Sequence, residues 1–234
     1  MSNIAAVAIP PVLLFSAMGM LSQISDGHII VRELKRKALH IGVGLTALLF
    51  PLFLNDTWKI VAAFGLAVVW LLAVRYVPVL RRHFGSVLHG VRRRSLGEIY
   101  FAVSIACLLL LTQDKPVLFV IPILILTLAD STAAIAGKIL PIGPLRGLAR
   151  GKTMTGCAAF FAVAFIVSFG LLGLLADLQV VHAVALAVTL AAATCVVEAI
   201  SRRGIDNLAV PAVAYLILLL SNIPDAAGNA SGLQ

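Results

Sequence analysis

The stretch PVLFVIPILILTLADSTAAIAGK, residues 116–138, is apolar except for Thr127 until it reaches the carboxylate of Asp130. About 20 apolar residues suffice to cross the hydrocarbon core of a bilayer as a helix. An ionised side chain at that depth costs roughly 2.5–3.5 kcal/mol even on the mildest insertion scales, so acids placed there usually bind something. The stretch therefore predicts a membrane helix that carries a functional carboxylate.

The composition of the whole chain also indicates a membrane protein. Of its 234 residues, 61% are hydrophobic and 12% are charged, and the mean hydropathy is +1.07. Soluble proteins are about half apolar and a quarter charged, so lipid must surround most of this chain. We expect one integral membrane domain over residues 1–234, of the all-α class, built as a polytopic transmembrane helix bundle. The three cysteines show no spacing typical of a zinc site or a disulfide framework.

Apolar runs between charged, proline and glycine residues predict seven or eight spans, with eight preferred. The candidates are residues 4–22, 38–54, 57–75, 97–113, 116–138, 154–176, 180–200 and 208–223. The fourth is short enough to be tilted or partly re-entrant. The first has neither the basic flank nor the cleavage site of a secretory signal, so we expect it to be retained as a span.

The basic residues fall almost entirely on one side of this arrangement. With the N-terminus outside, all of the 18 Lys and Arg residues except Lys59 and Lys115 lie on the inner side. The positive-inside rule makes that side cytoplasmic and places both termini on the opposite side. The net charge of +8 then faces anionic lipid headgroups rather than nucleic acid. We expect a multi-pass protein of the bacterial inner membrane or the endoplasmic reticulum.

Residues 76–94 combine apolar side chains at helical spacing with arginines on the remaining positions. This pattern favours an amphipathic helix in the cytoplasmic interface. Pro78 and Gly85 weaken the pattern, and a plain basic loop is the alternative.

Small residues follow Asp130 on its own helix face. Ala133, Ala134 and Gly137 lie at offsets that place all four positions on one side. Small side chains beside an acid would leave room for a ligand to approach the backbone. The alternative is close helix packing, with Asp130 hydrogen-bonded to a neighbouring helix. We favour function, because a packing face has no need of a carboxylate.

The segment Gly151-Lys152-Thr153, with Gly156 after it, opens the sixth candidate span. Unpaired N–H groups and the macrodipole make a helix N-terminus attractive to anions. Lys152 and Thr153 could hold phosphate oxygens there. The tripeptide is similar to a Walker A loop, but the upstream glycine and the βαβ context are missing. A basic flank that anchors a helix end is equally consistent with these residues.

Glu198 lies in the last apolar turn of the seventh candidate span, where a helix C-terminus disfavours negative charge. A cation nearby would explain it. Gly204 permits a turn after it, and Asp206 or Asn207 can cap the eighth span.

Two smaller features lie on the same predicted side. Arg36, Lys37 and His40 open the second span, and Arg36 and His40 are four residues apart on one face. A buried, hydrogen-bonded histidine is the alternative for His40. Glu98 opens the fourth span, where an acid is favoured at a helix N-terminus in any case.

Taken in order, five short motifs resemble the membrane superfamily of polyprenol kinases and phosphatidate cytidylyltransferases. The closest likeness is to the kinase branch, which holds dolichol kinase, phytol kinase and CTP-dependent diacylglycerol kinase. The motifs are Arg36-Lys37-x-x-His40, Gly97-Glu98-x-Tyr100, Asp130-x-x-Ala133-x-x-x-Gly137, Lys152-Thr153-x-x-Gly156, and Glu198 with Asp206-Asn207 and Pro211, across residues 32–211. Ala129 stands where the family usually has glycine. The longer C-terminal signature of the cytidylyltransferases is absent, which favours the kinase.

The resemblance implies a CTP-dependent kinase that uses Mg²⁺ and phosphorylates a membrane isoprenoid or lipid alcohol at the cytoplasmic face. Its catalytic residues would be Asp130, Lys152 and His40, and its metal ligands Asp130, Glu198 and Asp206. The nucleotide and phosphate would be held by Gly151, Lys152, Thr153, Gly156, Arg36, Lys37 and Asn207, with Glu98 and Gly137 as further candidates. Asp130 acting as a general base is a variant of this scheme.

Two other functions are compatible with the residues. A phosphatidate cytidylyltransferase would transfer the nucleotide portion and release diphosphate. A cation-coupled secondary transporter would use Asp130 and Glu198 as a relay. A transporter should place acids near the bilayer midplane, whereas these acids crowd toward one predicted face.

Overall fold

In the computed structural model, which describes residues 3–24, 29–89, 95–112, 115–145, 151–176 and 178–223, almost the whole described chain is helical. The helices are α1 Asn3–Ser22, α2 Ile29–Ala47, α3 Thr57–Tyr76, α4 Pro78–His89, α5 Gly97–Leu111, α6 Pro116–Leu124, α7 Asp130–Ile139, α8 Met154–Leu175, α9 Val180–Ile200 and α10 Asp206–Leu220. A 3₁₀ turn, Phe50–Leu52, follows α2, and a π-helical segment, Ile125–Ala129, joins α6 to α7. These ranges contain no β-strand, so the all-α prediction is confirmed.

Five helical segments within the described ranges are long and apolar enough to cross a membrane. They are Asn3–Ser22, Thr57–Tyr76, Pro116–Ile139, Met154–Leu175 and Val180–Ile200, and they match five of the predicted spans. The apolar helices α5 and α10 have 15 residues each, or about 22 Å, which is less than the roughly 30 Å hydrocarbon core. The chain is thus a membrane protein by its helices, while the eight-span count and the orientation stay predictions.

The second predicted span, residues 38–54, differs most from the structure. The helix α2 begins at Ile29 and ends at Ala47. Its first half carries charged residues that the apolar rule excluded, yet Lys35 and Lys37 are only 2% and 1% exposed. The α-helix ends early because Pro51 follows four residues after Ala47. Proline has no N–H to donate to the Ala47 carbonyl oxygen, and its ring would clash with that carbonyl in a continued helix.

Contacts between residues divide the chain into two compact units. The first unit comprises Met1–Leu111 with Arg203–Leu208, and the second comprises Thr112–Arg202 with Ala209–Gln234. The sequence pattern, interpreted as a single domain, does not indicate this subdivision.

The first unit is organised around α3, which packs against α1, α4 and α5. The helix predicted over residues 76–94 is confirmed over Pro78–His89, and residues 90–94 lie outside the described ranges. The Phe84 ring of α4 lies 5.6 Å from the ring centroid of Phe15 and 5.9 Å from that of Trp70. The apolar face of α4 therefore packs on α1 and α3, and its place at a membrane interface stays a prediction.

The second unit is organised around α8, which packs against α6, the π-helical segment, α7 and α9. Its buried positions recur every four residues, and they are Gly156, Phe160, Ala164, Ser168 and Leu172. The facing helix α9 buries mostly small residues, among them Ala183, Ala187 and Ala191. Small side chains let helices in lipid approach closely. This packing brings the start of α8 to the end of α9.

Candidate active site

Three of the predicted site residues meet in the second unit. The Nζ atom of Lys152 forms an ion pair with Oε1 of Glu198. A carboxylate oxygen of Asp130 lies within 4.8 Å of one of Glu198. Asp130 is 6% exposed and Glu198 is 3% exposed. The predicted convergence of these side chains is observed, and the cation expected beside Glu198 is Lys152.

The backbone around Lys152 is fixed by a short antiparallel pairing. The Leu145 N–H donates to the carbonyl oxygen of Lys152 at 3.0 Å, and the Met154 N–H donates to that of Gly143 at 2.9 Å. Gly151 has φ +86°, a left-handed conformation that glycine adopts at little cost. These features direct the Lys152 side chain from the start of α8 toward the last turn of α9.

The N-terminus of α8 is partly satisfied by the protein itself. Thr153 is the N-cap residue, and its Oγ1 accepts a hydrogen bond from the Gly156 N–H at 3.0 Å. The Met154 N–H is also taken, by Gly143. Two of the N–H groups that the sequence interpretation assigned to phosphate therefore already have protein partners. The hydroxyl proton of Thr153 can still donate to a phosphate oxygen.

The small residues after Asp130 pack against α8. A Cβ atom added to Gly137 would lie 2.7 Å from Thr153 Oγ1, and one added to Gly156 would lie 3.1 Å from the carbonyl oxygen of Ala133. The space expected beside Ala133 and Gly137 is thus occupied by the start of α8. Close helix packing, the alternative considered above, accounts for both glycines.

Replacing Gly137 by alanine should therefore displace the Thr153 hydroxyl and the N-terminus of α8. We expect lower thermal stability in detergent, by several degrees, and a fall in activity of at least tenfold. Ala136→Gly on the same helix is a matched control for the change in backbone freedom. Unchanged stability in Gly137→Ala would show that the contact between the two helices is looser than the geometry indicates.

Asp130 directly follows the π-helical segment Ile125–Ala129. Single π turns inside helices occur frequently at functional sites, because the extra residue changes the direction of the side chains that follow. Thr127 precedes Asp130 in the sequence and Ser131 follows it. The hydroxyls of both are buried, and neither has a hydrogen-bond partner among the described atoms. No sequence signal marks this π segment or these hydroxyls, because the apolar pattern continues through them.

The donor set of Asp130 and Glu198 fits a divalent cation. Mg²⁺ binds oxygen ligands at about 2.1 Å, so two ligands of one ion lie at most about 4.2 Å apart. The observed limit of 4.8 Å is close to that separation. Two carboxylates this near in an apolar unit also repel each other, and a cation relieves that repulsion. The two residues could therefore serve as metal ligands.

The remaining predicted residues belong to the first unit. Arg36, His40, Glu98 and Asn207 all line one cavity there. Arg36 also pairs with Glu33 at 2.6 Å. Lys37, the next residue along α2 after Arg36, is buried.

Asp206 begins α10, a helix that starts in the first unit and continues in the second. Its Oδ1 accepts a hydrogen bond from the N–H of the adjacent Asn207 at 3.2 Å, and the predicted helix cap at Asp206 or Asn207 stays a prediction. Its membership of the metal site stays a prediction.

The turn before α10 fixes Asn207. Gly204 has φ +87°, and a Cβ atom there would lie 2.6 Å from the Cα atom of Gly97. This close approach lets Asn207 Nδ2 donate to the Gly97 carbonyl oxygen at 2.9 Å. Phe101, which the sequence interpretation did not single out, lies against His40 with ring centroids 4.1 Å apart.

Comparison with known proteins adds one relative to these observations. A phytol kinase from a Synechocystis species is 29% identical over 188 residues, which are 79% of this chain and 78% of that protein. The chain is a homologue of a phytol kinase. The match supports the polyprenol and phytol kinase family that the motifs predicted, while membership of the wider cytidylyltransferase superfamily stays a prediction. No family model and no solved structure matches the chain.

The five motifs are distributed over the two units. The motifs at residues 36–40 and 97–100 belong to the first unit, and those at residues 130–137 and 152–156 belong to the second. The fifth motif is divided, with Glu198 in the second unit and Asp206 and Asn207 in the first. Each unit thus has its own group of polar residues.

Proposed function

We propose that this protein is a CTP-dependent kinase that phosphorylates a membrane isoprenoid alcohol at the cytoplasmic face. One observation carries the proposal: the buried cluster of Asp130, Glu198 and Lys152 occurs in a homologue of a phytol kinase. Buried carboxylates beside a lysine are the groups that a metal-bound polyphosphate needs. The choice of CTP rests on the motif resemblance.

Phosphoryl transfer depends on positioning and on neutralising charge more than on covalent chemistry. Asp130 and Glu198 would hold Mg²⁺, and we assign Asp206 as a third ligand. The bound ion would neutralise charge on the nucleotide phosphates. Lys152 then donates to a phosphate oxygen, as the Thr153 hydroxyl does. The Lys152 ammonium is already held at the carboxylates by its ion pair with Glu198.

The phosphoryl transfer forms one bond to phosphorus, breaks another and releases one proton. The alcohol oxygen forms a bond to the γ-phosphorus of CTP, the bond from that phosphorus to the β-phosphate oxygen breaks, and CDP leaves. The alcohol proton passes to a base. We assign that role to His40, because a carboxylate committed to a metal ion is a poor base. Arg36 and Lys37 would stabilise the transferred phosphate.

Labelled nucleotide tests this proposal directly. Purified protein is incubated with Mg²⁺ and with CTP labelled at either the α- or the γ-phosphate. Phytol, longer prenols, diacylglycerol and phosphatidate are supplied separately. We expect the γ-label in the lipid phosphate of a prenol and the α-label in free CDP, with ATP a poorer donor.

Two other results would contradict the kinase proposal. An α-label in the lipid with phosphatidate would show a cytidylyltransferase. No transfer to any acceptor, in protein that still binds CTP, would contradict the kinase and leave transport as the function to test.

A further inference from the structure

The first unit contains a largely apolar cavity, whose lining includes Arg36 and His40, the residues assigned above to the transferred phosphate and to the alcohol proton. It lies between α1, α2, α3 and α5 and reaches the start of α10. Most of its lining is apolar and includes Phe50, Phe64, Leu71, Phe101 and Ile105. The polar residues Arg36, His40, Glu98 and Asn207 complete it.

The cavity is a narrow channel along the helices. Each helix contributes one stripe of positions, which are 36, 39, 40 and 43 on α2, 64, 67 and 71 on α3, and 98, 101, 102 and 105 on α5. The first and last positions of each stripe are seven residues apart, which is about 10 Å at 1.5 Å per residue. Because each helix contributes only one stripe, we expect the channel to admit a single hydrocarbon chain.

The two ends of the channel differ in polarity. Arg36 and Glu98 are the first positions of their stripes, so the charged end lies where α2 and α5 enter the channel. At the other end the rings of Phe50 and Phe64 meet edge to face, with centroids 5.9 Å apart. Both phenylalanines are buried. The channel therefore has a polar entrance and an aromatic floor.

Asn207 supplies an unused hydrogen-bond acceptor to this channel. It is 5% exposed, and its Nδ2 donates to the Gly97 carbonyl oxygen at 2.9 Å. Because a carbonyl oxygen only accepts, this contact fixes which amide atom is nitrogen. The Oδ1 atom is then buried without a hydrogen-bond partner in the described part of the chain. Buried acceptors normally have a donor, and a ligand O–H would provide one.

We propose that this channel binds the acceptor alcohol, with the first part of its single isoprenoid chain along α2, α3 and α5. In the bound state its hydroxyl donates to Asn207 Oδ1, and it turns its one proton to His40 when the alcohol oxygen bonds to phosphorus. This assignment rests on the proposed kinase function and adds the acceptor site to it. We expect a prenol to be preferred to a diacylglycerol, because each helix offers only one stripe of positions to an alkyl chain.

Photolabelling without nucleotide tests the site apart from turnover. The full chain in lipid nanodiscs is irradiated with a phytol analogue that carries a diazirine on its chain, and the modified residues are located by mass spectrometry. We expect labels on the channel side of α2, α3 or α5. Excess geranylgeraniol should suppress them, and excess dioleoylglycerol should not.

Filling the channel supplies a matched pair of variants. Ala102 lines it and is 8% exposed, so Ala102→Leu should reduce labelling and raise the KM for the alcohol at least tenfold, with the KM for CTP unchanged. Ala106, one turn further along α5 and outside the lining, is half-buried, and Ala106→Leu should change neither value.

The labelling, the competition and the two variants together test both the site and its occupant. Labelling that is spread over lipid-facing positions and is unchanged in Ala102→Leu would show bulk lipid contact only and would overturn the site. Equal competition by dioleoylglycerol would overturn the single-chain assignment. Specific labelling in a protein that transfers no phosphate would support the channel as a prenol site while contradicting the kinase.

Discussion

Asp130→Asn is expected to abolish phosphoryl transfer, with kcat lowered by about 10³-fold, in a protein that still inserts and folds. Asparagine keeps the size of the side chain and removes its charge, so the cluster with Glu198 loses a metal ligand. Loss of one preorganised electrostatic group in an active site typically costs about 10²–10³-fold. The measurement is turnover of labelled CTP with a prenol, at several Mg²⁺ concentrations, alongside the thermal unfolding midpoint in detergent.

Asp56→Asn is the control for this change. Asp56 also stands next to a helix start, but its side chain is 50% exposed and pairs with Lys59 at 2.6 Å, so its loss should leave turnover unchanged. A shift of the Mg²⁺ requirement to higher concentration in any residual activity of Asp130→Asn would connect the loss to metal binding. Normal turnover in that variant would remove Asp130 from the mechanism.

The sequence predicts the helices of this protein better than it predicts their internal geometry. The run from residue 116 to 138 was predicted as one span, and Pro116–Ile139 is one apolar helical segment. The π turn within it could not be predicted, because all its residues are compatible with an ordinary helix. The early start of α2 was missed for another reason: Lys35 and Lys37 are charged, so an apolar criterion excludes this stretch, yet both side chains are buried.

The candidate site could be predicted only in part, because some of its contacts depend on how the helices pack. Charge asymmetry placed Lys152 and Glu198 on one predicted face, and the helix-end argument required a cation near Glu198. Their direct pairing over 46 positions depends on how closely α8 packs on α9, and small residues alone do not fix that register. The channel near His40 was beyond reach, because its lining comes from single positions on several helices.

Lys152→Met is expected to lower turnover by about 10²–10³-fold. The same change should also destabilise the protein, so the loss of catalysis must be separated from the loss of folded protein. Lys152 is the ion-pair partner of Glu198, whose side chain is 4% exposed. Removing one partner of a buried pair leaves an uncompensated charge, at a cost of about 3–5 kcal/mol. Part of any lost activity could therefore come from unfolding. The unfolding midpoint of Lys152→Met should fall, and that of Lys152→Met with Glu198→Gln should recover.

In the double variant, turnover should not recover together with the unfolding midpoint, because neither the phosphate-binding cation nor the metal ligand is restored. Lys152→Arg separates the two roles further, since it keeps a cation for Glu198 while moving the charge relative to a phosphate. We expect near-normal stability and intermediate turnover, with the KM for CTP raised. Lys138→Met, an exposed lysine at the end of α7, controls for loss of positive charge in the same unit. Turnover that follows the unfolding midpoint across all these variants would assign Lys152 to structure alone, because a lysine that binds phosphate must affect catalysis in protein that remains folded.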